Sequence, residues 1–469
     1  MTRILHIPIE PHTDLATTSF MEQLGNLLRI GAPTCMRVVV SGAHLSMIRA
    51  VLSDRGLFSA RIFTITDLSF FFLLSLSRLI SPLASNMKNI HEPSVGTLFQ
   101  RTLTLSSIAS LAIGIAISIA GPLMLTLTQE PNYIISGSYS FFPIYGLALF
   151  VDNIQRVTAR LLTGLKYVAL PLGVECIFFL MDAMLCGKMT DILGMSGVAA
   201  SYLGTSFLVT ATLWIYLSRA AWIKPFELLS RDTTPHEKVD STLHLTQKGL
   251  YISLGVLLNY VPALTLLSCL TVEKANALGP AQVYSMLGGS VMIGLGVGVS
   301  TLVASSNRDS HDWKTIAKTG QIVAVSFLAV ASLLVILSSK YLVNLFAGAH
   351  GSNELESDTA VFFLRMQTIV ELLNGLKAIS TAIHEADKNT EFPFRYNAFF
   401  VGVLNTMLIL AAKYMGLNEK IIFSTQLVGS AASCYAITSN VPTLFQPRPK
   451  PEMKMQTEQA VSVAPFVPS

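Results

Sequence analysis

The chain has 469 residues, of which 51% are hydrophobic and 13% charged, and a mean hydropathy of +0.56. Soluble domains carry about 25% charged residues, so a soluble enzyme is excluded and a polytopic membrane protein with the lipid bilayer as its first partner is expected. The formal net charge of +4 is small, and no basic, aromatic-interleaved patch is present to hold DNA or RNA.

The opening MTRILHIPIEPHTDLATTSF lacks the continuous apolar core and cleavage site of a signal peptide, and residues 1–26 read as a cytoplasmic N-terminal arm. Apolar runs of about 20 residues mark spans, and twelve follow. The first half gives 27–52, 60–83, 100–127, 134–156, 165–187 and 195–219; the second gives 247–271, 279–305, 316–345, 359–384, 394–415 and 420–441. Between them the polar connector 221–245, with Pro225 and Pro235, reads as a cytoplasmic linker. The predicted architecture is all-α integral membrane, with an N-lobe at 27–220, a C-lobe at 246–442 and a disordered tail at 443–469.

Basic residues collect in alternate loops, among them Lys88, Arg101, Lys166, Arg219, Lys224, Lys314 and Lys388, whereas the intervening loops carry few. The positive-inside rule then predicts both termini in the cytoplasm, as for a protein of a cell inner membrane. The five cysteines, scattered through apolar segments, have no metal-ligand or redox spacing and read as small core residues. FFLMDAML around Asp182 echoes GVLNTMLI around Asn405, which suggests a duplication of six spans and pairs those two residues.

Asp182 stands out because it interrupts the apolar run 170–186. A carboxylate in hydrocarbon costs about 3 kcal/mol on insertion scales, so intramembrane acids face cavities or partners. Arg78, within FFLLSLSRLISPL, likewise needs a partner, and Asp67 is too far along the same helix to supply it. Asp152, Arg156 and Arg160 follow one another at four-residue spacing, the geometry of helix ion pairs, and read as a charge cluster at the cytoplasmic end that anchors topology or closes a gate. GGSVMIGLGVGVS serves close helix packing or a hinge. Phe70, Phe71, Phe72, Phe141, Phe142 and Tyr145 line a cleft, face lipid or pack. No GxxxxGK[ST], HExxH or GxSxG pattern occurs, which leaves secondary transport rather than ATP-driven transport or hydrolysis.

The segments GLYISLGVLLNY at 249–260, LLTGLKYVALPLGVECIFFLMDAMLCG at 161–187 and GMSGVAASYLG at 194–204 resemble the multidrug and toxic compound extrusion (MATE) antiporters of the multidrug/oligosaccharidyl-lipid/polysaccharide (MOP) superfamily. The resemblance implies two pseudo-symmetric six-helix lobes around a V-shaped cleft. It also implies alternating access by a monomer, no cofactor beyond H⁺ or Na⁺ as coupling ion, and export of small organic compounds, cationic or amphipathic. Carried over position by position, a first-span aspartate of the family falls on Ile48, a tyrosine on His44, a fifth-span aspartate on Asp182 and a sixth-span threonine near Tyr202. In the C-lobe two family carboxylates fall on Asn259 and Asn374, which weakens any Na⁺ site there, although Glu371 lies one turn before Asn374 and could replace one of them.

The resulting ion-coupling candidates are Asp182 and His44, with Arg37 or Asp67 as neighbours. Arg37 and His44, seven residues apart, share one face of the first helix, and histidine changes charge near neutral pH. The alternative is a static Asp182–Arg37 pair. Two other functions stay open: a degenerate transporter fold with a regulatory or scaffold role, suggested by the lost acids, and a lipid-linked oligosaccharide flippase.

Overall fold

The computed structural model describes residues 20–57, 59–77, 80–85, 93–219, 242–306, 312–347 and 354–441. Arg78 and most of the expected arm, linker and tail lie outside the described residues. In the first half the chain forms α1 (Phe20–Asp54), α2 (Ala60–Leu76) with its short continuation α3 (Ile80–Ser85), α4 (Pro93–Leu127), α5 (Asn132–Gly164), α6 (Ala169–Leu193) and α7 (Met195–Arg219). The second half forms α8 (Thr242–Cys269), then α9 (Val272–Ala277) leading into α10 (Gly279–Ser305), α11 (Asp312–Ala347) and α12 (Glu354–Ala386). It closes with one rod made of α13 (Glu391–Tyr396), a π-helical stretch (Asn397–Asn405) and α14 (Thr406–Tyr414), followed by α15 (Glu419–Ser424) and α16 (Gln426–Ser439).

Helix is the form an apolar chain must take in lipid, where each backbone N–H and C=O has to be satisfied within its own segment. Ten of the described helical segments are long and apolar enough to cross a membrane. The two remaining rods of the twelve fall short for separate reasons: α2 has only 17 residues before its break, and α12 carries Glu371, Lys377 and Glu385 along its length. Both are nonetheless packed inside the bundle, α2 against α4 and α8, α12 against α10, α11 and α16.

The packing repeats between halves. α4 lies on α5 as α11 lies on α12, α5 on α7 as α12 on α16, and α1 on α6 as α8 on the π-helical rod. The halves meet where α1 packs along α10 and α2 along α8. The glycine run of α10 makes the first contact close. A Cβ on Gly294 would sit 2.4 Å from the Cα of Cys35, and one on Gly298 2.9 Å from the Cα of Gly31. Gly294 and Gly298 thus serve close packing, whereas a Cβ on Gly288 or Gly289 of the same run would meet no described neighbour within 4 Å.

Two placements differ from expectation. α5 continues eight residues beyond Arg156 to Gly164, so Asp152, Arg156 and Arg160 are all buried in the helical interior rather than gathered at a wet helix end. Phe70, Phe141, Phe142 and Tyr145 are core residues; lipid is left to such side chains as Ile119, Leu180, Met184 and Leu337.

Candidate functional site

α6 is lipid-facing except along one stripe. Its buried positions are Pro171, Glu175, Asp182, Cys186 and Thr190, spaced four, seven, four and four apart, which traces a single helical face. Both carboxylates of the span thus point the same way, inward. The turn to α7 is one residue, Gly194, at φ 61° and ψ −142°, a backbone state open essentially to glycine. Three residues on, Gly197 runs so close to α6 that a Cβ would lie 2.1 Å from the Met189 carbonyl oxygen. This tight hairpin sets the hydroxyls of α7 against Asp182.

Asp182 is fully buried and held from two sides. Its Oδ1 accepts from Ser201 Oγ and, at 3.2 Å, from Thr205 Oγ1. Its Oδ2 lies 2.6 Å from His44 Nε2 of α1. Tyr202, near which the family threonine falls, lays its ring on His44 with centroids 4.6 Å apart and gives its hydroxyl to Asp152. Its neighbours Ser201 and Thr205, one turn apart, are the hydroxyls that reach the acid, and that i, i+4 spacing was the available signal for them.

Arg37 does not join this pair, so the static Asp182–Arg37 alternative is set aside. Its Nε lies 3.8 Å from Oε1 of Glu175, to which Gln155 also donates at 3.0 Å. The reason is register: Arg37 lies two turns before His44 on α1, and Glu175 two turns before Asp182 on α6. Asp152 and Arg156 pair within α5 at 2.5 Å, and the guanidinium of Arg156 lies over the Phe70 ring, 3.8 Å from its centroid. A cavity of about 40 Å³ runs between these groups, lined by His44, Asp152, Gln155, Glu175, Tyr202 and Thr205 among others. Asp67 is elsewhere: its Oδ2 accepts from Tyr260 of α8 at 2.9 Å, a bond between the halves.

The second half holds the larger space, about 280 Å³, between α8, α10, α12, the π-helical rod and α16, with α2 closing one side. Asp67, Asn259, Glu371, Asn374 and Asn405 all line it. Glu371 accepts from Ser285 at 2.6 Å and Gln367 at 2.7 Å, and Asn374 bonds to it as well. Lys377 and Glu385, not singled out from sequence, line the same space, and Lys377 is close enough to Glu371 for their charges to interact. Asn405 ties its rod to α16, donating to the Gln426 carbonyl at 3.1 Å and accepting from the Gly429 N–H at 2.9 Å. Its segment is π-helical, a form that recurs at functional sites. Among the described residues, no three His, Cys, Asp or Glu side chains converge as metal ligands do.

The sequence model of the MatE family matches residues 272–410, from α9 into α14. No curated protein matches the chain. Among solved structures, the eukaryotic MATE transporter AtDTX14 superposes with a TM-score of 0.75 at 13% identity, covering 91% of this chain and 97% of that one. A MOP superfamily transporter from Pyrococcus furiosus, described as having a binding pocket of reversed polarity that suggests a different function, gives 0.71 at 15%, covering 92% and 98%. A variant of the Vibrio cholerae MATE transporter VcmN gives 0.71 at 12%, covering 91% and 97%.

Proposed function

Because the chain has the fold of the MATE transporters, we propose that it is a secondary antiporter that exports small organic compounds, cationic or amphipathic, in exchange for protons. The observation that carries this reading is the placement of one fully buried carboxylate, Asp182, between a histidine and two hydroxyls contributed by two other helices. With a proton on the pair, the imidazolium and carboxylate compensate each other. When the proton leaves, a full negative charge stands in the helical interior with only hydroxyl donors, and the bundle relieves it by moving α1 off α6 or by admitting water.

α1 cannot move alone. It packs along α10 through Gly31 and Cys35, and α10 supplies Gln282, Ser285, Gly289 and Met292 to the large cavity. Protonation at Asp182 and occupancy of the cavity thereby act on one shared helix pair, which is what a two-state exchange of access requires. The proton is favoured over Na⁺ because His44 occupies the open side of the carboxylate, and hard cations select oxygen rather than imidazole. Asp67, Glu371 and Glu385 on the cavity wall, with Phe71, Tyr251, Tyr260 and Phe394, suit a flat organic cation. The loop charges orient such a transporter with both termini in the cytoplasm.

The test is uptake of the fluorescent cation ethidium into proteoliposomes under an imposed pH gradient. Wild type is expected to accumulate it, and Asp182→Asn to fall about 100-fold, the scale of losing a positioned proton-transfer group. Undiminished uptake by Asp182→Asn would falsify the site assignment, and a wild type indifferent to the gradient would overturn antiport itself.

A further inference from the structure

The spacing that separates Arg37 from His44 on α1 also separates Glu175 from Asp182 on α6, seven residues in each case. Two turns of helix rise by roughly 10 Å, so the two helices are joined by two rungs, Arg37–Glu175 at 3.8 Å and His44–Asp182 at 2.6 Å. Proton exchange at Asp182 uses only the second rung. The first contains a buried acid with a loose end: Glu175 is 6% exposed, and while Oε1 accepts from Gln155, Oε2 has no hydrogen-bond partner among the described residues. Such an oxygen is costly to bury unless a proton or a water satisfies it.

The cavity of about 40 Å³ borders both rungs, since His44 and Glu175 are each part of its wall. A water needs about 10–15 Å³ of such space and two to four polar partners, so the cavity has room for a short chain of them. Here Asp152, Gln155, Tyr202 and Thr205 join the two, so both conditions are met.

We propose that Glu175 is a second proton station, exchanging its proton with His44, and through it with Asp182, by way of a short chain of waters in that cavity. The proposal rests on the antiport reading of Asp182. In the step, the Glu175 carboxyl gives its proton to the nearest water of the chain, each water passes one of its own to the next, and the last gives one to the imidazole. One O–H bond breaks on Glu175, one N–H bond forms on His44, every water is regenerated and nothing is oxidised or reduced. The groups facing Glu175 are Arg37 and His44 from α1, Asp152, Arg156 and the neutral Gln155 from α5, Tyr202 from α7 and Asp182 on its own helix. Two guanidiniums balance two carboxylates in that set, so His44 decides its sign. A proton on His44 repels one on Glu175, and the two stations fill alternately.

The deciding measurement is pH-difference infrared spectroscopy of the full chain in lipid, read together with gradient-driven ethidium uptake. Glu175→Gln is expected to remove part of the carboxyl C=O signal, to change the part that Asp182→Asn removes, and to lower uptake about tenfold. A pH-difference spectrum identical to wild type in Glu175→Gln overturns the proposal. If the Arg37–Glu175 pair is only structural, the neutral double variant Arg37→Gln/Glu175→Gln regains uptake, because an apolar or neutral replacement of a whole buried pair is tolerated where loss of one partner is not. As a relay it stays about tenfold down. The double variant decides alone should Glu175→Gln not fold, full uptake overturning the proposal. Loss of uptake in Asp182→Asn beside a normal Glu175→Gln sinks this inference only; normal uptake in Asp182→Asn sinks the antiport reading beneath it.

Discussion

Asp182 in the first half and Asn405 in the second hold equivalent places, each tying its helix to the next one in the chain, yet their surroundings diverge. Asn405 donates to one backbone group of α16 and accepts from another, so the amide is satisfied within a single helix pair. A carboxylate can only accept. Asp182 takes two hydroxyls from α7, and His44 of a third helix stands 2.6 Å from its other oxygen. The half with the acid has drawn in around it and leaves about 40 Å³; the half with amides at Asn259, Asn374 and Asn405 keeps about 280 Å³. The larger space is not without charge, since Glu371, Lys377 and Glu385 line it beside the amides. The antiport proposal accordingly assigns the proton to the first half and the organic molecule to the second.

Exchanging the two side-chain types breaks that contrast most directly. Asp182→Asn carries the largest expected effect, the roughly hundredfold loss of driven uptake. Its mirror, Asn405→Asp, removes the donor to Gln426 and places a charge at a site 1% exposed with no cation bonded to it. The expected cost is about 3 kcal/mol, the scale of an uncompensated buried charge, read as a lowered unfolding midpoint in detergent. An unchanged midpoint would mean that the large cavity, whose wall includes Asn405, compensates the charge as well as His44, Ser201 and Thr205 do at Asp182.

Asp182 was legible because a lone acid in an apolar run has few innocent explanations, and His44 because its spacing from Arg37 fixed a shared face. What sequence could not give was the partner across the gap. Glu175 sits in the same span as Asp182, near its start, where acids are commonplace; only the stripe through Pro171, Glu175, Asp182, Cys186 and Thr190 reveals that it points inward. Asp67 was weighed against residues on its own helix, whereas its partner Tyr260 lies in the other half of the chain. The i, i+4 run Asp152, Arg156, Arg160 has the pattern of a solvated helix face, and its burial follows from how far α5 extends. Lys377 and Glu385 are hidden by the company of other charges on α12, the helix least like a membrane span by composition. The fold itself was far more readable, since apolar length and loop charge are repeated in every span whereas a site depends on single contacts.

A smaller change sharpens the division of labour. Glu371→Gln keeps the bond to Ser285 within reach while removing a negative charge from the cavity wall. Half-maximal uptake of ethidium is expected to require about tenfold more substrate, or about 1.4 kcal/mol, with uptake of an uncharged probe and the infrared signal of Asp182 unaltered. A variant that instead abolished the response to the pH gradient would move ion coupling into the second half.

The smallest effect concerns how Asp182 shares its partners. Ser201→Ala removes one of the two hydroxyls on Oδ1, but Thr205 remains at 3.2 Å and His44 still faces Oδ2. Neither oxygen is left bare, so the loss is that of one redundant bond, about 1 kcal/mol of stability, with driven uptake nearly intact. His44→Gln removes the one imidazole that, among the described residues, faces Oδ2, and has no such reserve. If Ser201→Ala matched the uptake defect of Asp182→Asn, the serine rather than the histidine would be the group that moves with the proton, and the link from α6 through α1 to the large cavity would lose its first member.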